Sequence, residues 1–526
     1  MCMCSDEARE QAGRVSVWFL ALVAILAMFS GCGTGPASYA GQSSSAEASK
    51  RTVSIDFQNQ SNKQFPVPND FVSTEQGSFG SQLAGAMSMI SEAGINLIRI
   101  DSGLASVYAT KAPDWTSVDD QLAVLQANGM HAIVIIWGTP PWLTPEPDLC
   151  VSRGSYPAHS VPTDLNAWSQ LAASFVAHVD QHFPGVVKYY EIWNEPDLEG
   201  FLCSLPVSTD ETRMEAYANI YVAAARAMKA QAKADGAEIR IGGPAMSNIL
   251  PTENLLAQFV GNPQASPYID FISYHYYVEP AQYNWGDPII GLLAKSLGAG
   301  FGFASGYNDV YQQVARGLRP SAELTPIMIT EYNDSPDFGT NCCRNSPVYS
   351  PLFNSIAVSE LLNSVYRGVP QVPATLSYFG ARSYYSSFCL LGTVGTDCSW
   401  SGGRLDAFPQ YYAFQLISSP KYLGLSSGTY LIPSRPSLPD GIIGSAFYNA
   451  SSCSLLLINP TDKVYSQTEI LFSNVAIPAS RATMFLLNEN NPNITISSLP
   501  LSHLSPQIYY ATVDLPPNSV VGLKLE

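Results

Sequence analysis

His131-Ala132-Ile133-Val134-Ile135-Ile136-Trp137 is apolar at every position after its first residue. A strand that lacks polar alternation is buried on both faces, the condition of a parallel strand covered by helices. Similar β-rich runs recur at 70–75, 96–101, 187–193, 238–242, 268–276, 326–331 and 374–379. Helical periodicity fills the gaps, most clearly at Leu165–His182, 212–234, 307–317, 353–367 and 411–418. Eight strand–helix units over roughly 350 residues predict an α/β chain closed into a (β/α)8 TIM barrel with long loops. An open doubly wound sheet gives the same alternation and stays open as an alternative. Past Gly424 the helical period stops, and short alternating strands separated by Pro, Asn and Ser run to Glu526. That pattern predicts a small β-sandwich over 424–526, with an extra strand at 52–58 pairing into it ahead of a barrel spanning 51–423.

Composition sets further bounds. Of 526 residues 46% are hydrophobic, enough for a large core, and only 13% are charged. A formal charge of -17 repels phosphate backbones and excludes nucleic acid as a partner. Arg9 and Arg14 precede a mostly apolar run over 15–29, followed by Ser30, Gly31 and Cys32. Fifteen residues suit a signal peptide and fall short of a bilayer-spanning helix. Residues 1–31 are read as that signal. Phe29-Ser30-Gly31-Cys32 resembles a bacterial lipobox, so Cys32 becomes a candidate lipidated membrane tether; a plain signal peptide cut nearby is the alternative. Residues 32–50 read as a flexible linker. The localisation implied is the bacterial cell envelope, periplasmic or surface, or secretion.

Export places the remaining cysteines in an oxidising compartment. Cys150, Cys203, Cys342, Cys343, Cys389, Cys398 and Cys453 number seven, so at least one is unpaired. Cys389 and Cys398 bracket a short loop and are expected to bond; Cys150 and Cys203 follow strand ends whose loops can meet. Cys453, within an apolar strand, is the expected buried thiol. No CxxC pair is present, which removes a zinc ribbon.

Catalytic groups of a barrel sit at the C-terminal ends of its strands. Glu195 ends the fourth in Tyr190-Glu191-Ile192-Trp193-Asn194-Glu195-Pro196-Asp197, and Glu331 ends the seventh in Ile327-Met328-Ile329-Thr330-Glu331-Tyr332-Asn333. A lone strand-end glutamate is more often a cap or a surface charge. Two at one barrel mouth are what a retaining glycosidase needs, one to protonate the glycosidic oxygen and one to attack the anomeric carbon.

With these motifs the chain resembles clan A glycoside hydrolases, and family 39, the β-xylosidase group, most of all. The resemblance rests on Trp193-Asn194-Glu195-Pro196, on Gly242-Gly243-Pro244-Ala245 and on Ser273-Tyr274-His275-Tyr276-Tyr277. It implies Glu195 as acid/base, Asn194 as ligand of the sugar 2-hydroxyl and Glu331 as nucleophile. It implies that Tyr277 bonds the nucleophile, that His275 lines the site and that Arg99 orients the nucleophile's carboxylate. A structural histidine and a buried ion-pair arginine are the plainer readings of the last two. Many clan members end strand eight with Trp, whereas this chain reads Ser377-Tyr378-Phe379-Gly380. Phe379 or Tyr378 is the expected substitute, and Trp137, Trp142, Trp285, Tyr332 and Trp400 are candidate sugar platforms or core.

The expected activity is retaining hydrolysis of β-linked xylose- or glucose-type oligosaccharides, with no cofactor and no catalytic metal. The alternatives are a glucuronidase-like or endo-acting clan A enzyme on a polysaccharide, and a carbohydrate-binding surface protein without turnover. Three other patterns are set aside. Gly424-Leu425-Ser426-Ser427-Gly428 has the serine-esterase spacing but reads as a turn without a buried strand before it. Asp101-Ser102-Gly103 has no second copy to make an aspartic protease. His178 and His182 lack the Glu of HExxH and are expected to face solvent.

Overall fold

The computed structural model describes residues 52–57, 65–75, 80–101, 103–146, 149–203, 209–247, 249, 254–277, 303–317, 325–333, 349–380, 389–392, 405–426, 428–432, 435–475 and 479–526. The segments read as signal, lipobox cysteine and linker lie outside these residues, as do Cys342, Cys343, Cys398, Trp285 and Trp400.

Strand β1 (Thr52–Asp56) and the two-residue β2 (Phe65–Pro66) precede the barrel. The barrel strands are β3 (Val72–Glu75), β4 (Leu97–Asp101), β5 (His131–Ile136), β6 (Val187–Ile192), β7 (Arg240–Met246), β8 (Phe271–Tyr277), β9 (Ile327–Asn333) and β10 (Thr375–Tyr378). They close in chain order, with β10 returning to β3, and every pairing is parallel. The chain is therefore a closed TIM barrel and not an open sheet. The long helices Leu165–His182 and Asp210–Asp235 pack side by side outside β5, β6 and β7. Asp164 caps the first, accepting from the backbone N–H groups of Asn166 and Ala167.

Inside the barrel, Leu97, Ile133, Tyr189, Phe271 and Met328 form one buried layer. Gly242 of β7 makes room for it, because a Cβ there would stand 2.5 Å from the ring of Phe271. Above this layer, toward the C-terminal strand ends, the lumen turns polar. Two residues on from Leu97, Tyr189 and Phe271, the same face of each strand presents Arg99, Glu191 and Ser273.

Two short strands, β11 (Leu391–Gly392) and β12 (Asp406–Ala407), pair after the barrel. The remaining strands are β13 (Tyr430–Leu431), β14 (Ile443–Tyr448), β15 (Cys453–Asn459), β16 (Tyr465–Ser473), β17 (Ala482–Asn488), β18 (Asn491–Leu499), β19 (Ser502–Ser505), β20 (Ile508–Leu515) and β21 (Ser519–Leu525). One sheet runs β1-β16-β20-β19 and the other β18-β17-β21-β15-β14-β13-β2. β1 pairs in parallel with β16, and β2 adds an antiparallel contact to β13 that the sequence did not signal. The residues before the barrel thus contribute a strand to each sheet. A second apolar core, including Val53, Ile55, Leu455, Ile470 and Tyr509, belongs to this β-rich part.

Helix Tyr349–Leu362 is buried along nearly its whole length because it lies between other barrel helices and the seven-stranded sheet. Its Ser359, with Asn363 just past its end, joins the two parts. Ser359 Oγ lies 2.7 Å from Ser445 Oγ, the Ser445 hydroxyl reaches Asn363 Oδ1 at 3.2 Å, and Asn363 Nδ2 donates to the Gly444 carbonyl at 2.9 Å.

The cysteines divide as follows. Cys150 and Cys203 are bonded to each other, Cys389 is disulfide-bonded, and Cys453 is a buried free thiol. His178 does not face solvent as the sequence suggested. It stacks on Trp115 with centroids 3.9 Å apart and pairs with Asp119 at 2.7 Å, because the ring covers an apolar edge of the helix; only His182 is exposed.

The polar bridge between barrel and sandwich makes a prediction. Asn363→Ala removes the side-chain donor to the buried Gly444 carbonyl, while the Ser445 hydroxyl keeps Ser359, at a cost of about 1–3 kcal/mol. Urea denaturation should show that loss; an unchanged midpoint would mean that the bridge contributes nothing.

Candidate active site

Arg99 is the centre of the polar lumen. It leaves β4 with no solvent exposure, among the buried Leu97, Ile98 and Ile100 and before the exposed strand-end Asp101. Its Nε donates to Glu191 Oε2 at 2.7 Å, one terminal nitrogen donates to Glu331 Oε1 at 2.5 Å, and the other donates to Asn194 Oδ1 at 2.8 Å. Glu75, at the end of β3, lies 3.4 Å from the nitrogen that serves Glu331. One guanidinium therefore faces three buried carboxyl groups and a side-chain amide. A planar five-donor cation suits that task where an ammonium does not.

Glu331 reaches this cluster through an irregularity in β9. Ile329 registers with Tyr274 and Glu331 with His275, so Thr330 is an extra residue between successive pairs. Counting by twos from Met328, which faces the lumen, Glu331 would point to the opposite face. The bulge turns it inward, a common use of bulges beside active sites. Its second oxygen accepts from the Tyr277 hydroxyl at 2.7 Å.

Glu195 follows β6 in a turn where both Trp193 and Glu195 take positive φ, 69° and 43°. The turn is held by Glu195 N–H donating to the Ala245 carbonyl and by the Trp193 indole donating to the Phe201 carbonyl. Asp197 anchors it from below, accepting from the Ser247 backbone at 3.1 Å and hydroxyl at 2.8 Å. His275 Nδ1 lies 2.7 Å from Glu195 Oε1 and 3.4 Å from Glu331 Oε2. One atom each of Glu195, His275 and Glu331 fall within 4.8 Å of one another. The two carboxylates are thus close enough for direct attack on a sugar carbon between them, rather than spaced for an intervening water. Such a trio could converge on a cation, but Arg99 already supplies positive charge to Glu331 at 2.5 Å.

The environments drive the two carboxyls apart. Burial raises Glu195 above the ordinary carboxyl range and outweighs the opposing hydrogen bond and charge of His275, with the charges of Glu331 and Asp197 adding smaller upward pushes. Burial alone would raise Glu331 as well, but His275, Arg99 and the Tyr277 hydroxyl hold it below its ordinary value. Burial pushes Glu75 well up, with Glu331 adding to it against the pull of Arg99, an environment that favours its neutral form. His275 would be lowered by burial, yet the two glutamates raise it. A pair of carboxyls displaced in opposite directions divides into a proton donor and a ready anion.

Six of the residues picked from sequence come together here: Glu195, Glu331, Asn194, Arg99, His275 and Tyr277. Trp137 stands at the mouth, half-buried, its indole donating to Asp101 at 2.6 Å. Phe379 is half-buried with its ring edge-on to Tyr277 at 6.3 Å. Tyr332 and Tyr378 are core residues instead of platforms, since both are buried and the Tyr332 hydroxyl is taken by Asn354. Trp142 is partly buried, bonded to the Tyr108 carbonyl, with Lys111 over its ring. Glu75 and Glu191 were missed. A signal for Glu191 was present, because an arginine inside a mostly apolar strand needs a buried counter-charge and Glu191 lies in another apolar run, β6, one strand removed from β4.

The model of Glycosyl hydrolases family 39 matches residues 115–366. A curated β-xylosidase from Caldicellulosiruptor saccharolyticus is 28% identical over 180 residues, which are 33% of this chain and 32% of the relative, so the match spans about a third of that protein's length. Among solved structures, a family 39 β-xylosidase from Caulobacter crescentus aligns over 90% of this chain and 100% of its own, with TM-score 0.56 and 18% identity. A family 30 subfamily 8 xylanase from Clostridium acetobutylicum aligns over 90% and 99%, with TM-score 0.59 and 13% identity. Both structures share the fold.

Two substitutions separate the roles around the guanidinium. Arg99→Leu strands buried carboxylates without a counter-charge and should destabilise by about 3–5 kcal/mol. Glu75→Gln keeps the shape of a neutral acid and should leave the thermal midpoint near that of the parent. A Glu75→Gln variant as unstable as Arg99→Leu would show that Glu75 carries charge.

Proposed function

We propose that this chain is a family-39-like glycoside hydrolase of clan A, xylosidase- or xylanase-like, that cleaves β-linked xylose-type oligosaccharides with retention of configuration. Its barrel fold and the family-39 match over residues 115–366 support that reading. Glucose-type sugars are the second glycone class. The observation that carries the mechanism is the close pair Glu195 and Glu331 with carboxyls displaced in opposite directions.

In the first step Glu331 attacks the anomeric carbon as the bond to the leaving oxygen breaks, and Glu195 transfers its proton to that oxygen. His275 Nδ1–H occupies Glu195 Oε1, which leaves Oε2 to hold the proton. Arg99 and Tyr277 each hold one oxygen of Glu331, keeping the nucleophile oriented and ionised. Asn194, fixed through its Oδ1 by Arg99, presents its amide N–H to the sugar 2-hydroxyl, a contact that strengthens as positive charge grows at the ring. Trp137 and Phe379 supply apolar walls. In the second step the Glu331 ester carries no charge, so Glu195 gains less from staying protonated. As the carboxylate it takes a proton from water, the water oxygen bonds to the anomeric carbon, and Glu331 leaves.

Export to the cell envelope, with Cys32 as a lipid tether, is part of the proposal. The disulfide between Cys150 and Cys203 supports an oxidising location.

A panel of aryl β-xyloside, glucoside, galactoside, mannoside and glucuronide should yield turnover of the xyloside before the others. Glu195→Gln should lose about 10²–10⁴-fold on poor leaving groups and less on activated phenols. Azide should restore Glu331→Ala with inverted product. Silence of the folded protein on the panel and on xylo-oligosaccharides would remove the proposal. The pH profile of kcat/KM should be a bell. Its acid limb, where Glu331 gains a proton, should lie below the ordinary carboxyl range; its alkaline limb, where Glu195 loses one, should lie above it. Glu195→Gln should abolish the alkaline limb only.

A further inference from the structure

Three of the six large apolar side chains that stand exposed among the described residues are Val151 at 57%, Tyr156 at 71% and Leu198 at 38%. All three belong to the two loops that follow β5 and β6, so they share one lobe at the barrel mouth. That lobe is unusually well fastened. The Cys150–Cys203 disulfide joins its halves, and a bridge pairs Ser160 with Cys203. Arg153 pairs with Glu199 at 2.7 Å, and the Gly200 carbonyl accepts from the Ser155 hydroxyl at 2.6 Å and from the His159 ring at 2.5 Å. Singly exposed apolar side chains are ordinary, but three on one cross-linked lobe beside a barrel mouth form the kind of grouped apolar surface that receives a ligand.

The lobe is continuous with the catalytic acid. Tyr156 meets His159 at 5.4 Å between centroids, and His159 meets Trp137 at 5.1 Å. Trp137 is edge-on to Trp193, two residues before Glu195, at 6.5 Å. Leu198 closes the turn that begins at Glu195, its N–H donating to the Glu195 carbonyl at 3.0 Å. Burial keeps His159 uncharged, so the line of rings presents no net charge to a neutral sugar.

Resting on the glycosidase reading, we propose that this lobe is the subsite for the leaving-group side of the substrate. Tyr156 and Leu198 receive the sugar units beyond the scissile bond. The group that Glu195 protonates is the oxygen of that part, so the part departing from the sugar must lie on Glu195's side. Pyranose rings turn C–H-rich faces toward aromatic and aliphatic surfaces, while their hydroxyls remain solvated at the edge. A rigid platform loses little entropy on binding. The substrate class is accordingly a β-linked oligosaccharide of three or more units, with sugars on both sides of the cleaved bond.

The test compares two substrates of the full chain and of its Tyr156→Ala and Leu198→Ser variants. β-Xylosyl fluoride fills only the glycone site, whereas xylotriose and xylotetraose also engage the lobe. The ratio of kcat/KM on the oligosaccharides to kcat/KM on the fluoride should fall about tenfold in Tyr156→Ala, the size of one lost aromatic contact, and through KM more than kcat. An unchanged ratio would overturn the subsite. So would sedimentation showing that the parent self-associates through this face and Tyr156→Ala does not, because a second copy would then be the occupant. Failure of the parent on the fluoride itself would overturn the glycosidase reading, and the subsite with it.

Discussion

A single buried guanidinium sets the terms of this structure. Arg99 has no solvent exposure, and a cation so placed is tolerable only when carboxylates and acceptors surround it in good geometry. Glu191, Glu331, Glu75 and Asn194 meet that demand from three strands and one strand-end turn, β3, β6, β9 and the turn after β6. These groups converge only if the barrel closes with its observed register. The apolar layer below Arg99 and the polar layer at its level are therefore parts of one constraint.

The same constraint produces the difference between the two glutamates. Glu331 sits on the cation and on the Tyr277 hydroxyl, and remains ionised. Glu195 is almost as enclosed but has only the shared imidazole of His275 as a positive neighbour, so burial raises its pKa and it holds its proton more firmly than Glu331. Glu75 shows the cost of crowding: with Arg99 committed to closer partners, burial and Glu331 push a third carboxyl nearby toward its neutral form. Acid and nucleophile are thus distinguished by neighbours, since the two side chains are chemically identical.

Much of this was legible in the sequence, for reasons that can be named. The eight barrel strands were visible because each is a short β-rich run between longer helical patterns. The run Ile133 to Ile136 in particular has no polar face that a half-exposed strand would show. Glu195, Asn194, His275 and Tyr277 were legible because they sit at strand ends beside recognisable neighbours. Glu331 was found for its position, yet strict alternation would have aimed it outward. The bulge at Thr330 is a tertiary fact that no local pattern announces. Glu75 was hidden because a carboxylate at a strand end ordinarily reads as a surface charge. The meeting of the Cys150 and Cys203 loops was in reach of the sequence, but the rest of that lobe was silent, since contacts such as His159 to Gly200 depend on how two distant segments meet. His178 was misread because a histidine on a helix carries no sign of the Trp115 ring that covers it.

The central claim is that Glu331 forms a covalent bond to the sugar while Glu195 handles the proton. The most direct measurement is trapping with a 2-deoxy-2-fluoro-β-xyloside bearing an activated phenol. Its fluorine slows both steps, and its leaving group keeps the first faster than the second. Mass spectrometry of the intact chain should show one added fluorosugar, and peptide mapping should place it on Glu331, with release of the phenol in equal amount. A label on Glu195 or Glu75, or turnover of the parent xyloside with an inverted product and no adduct, would contradict the account.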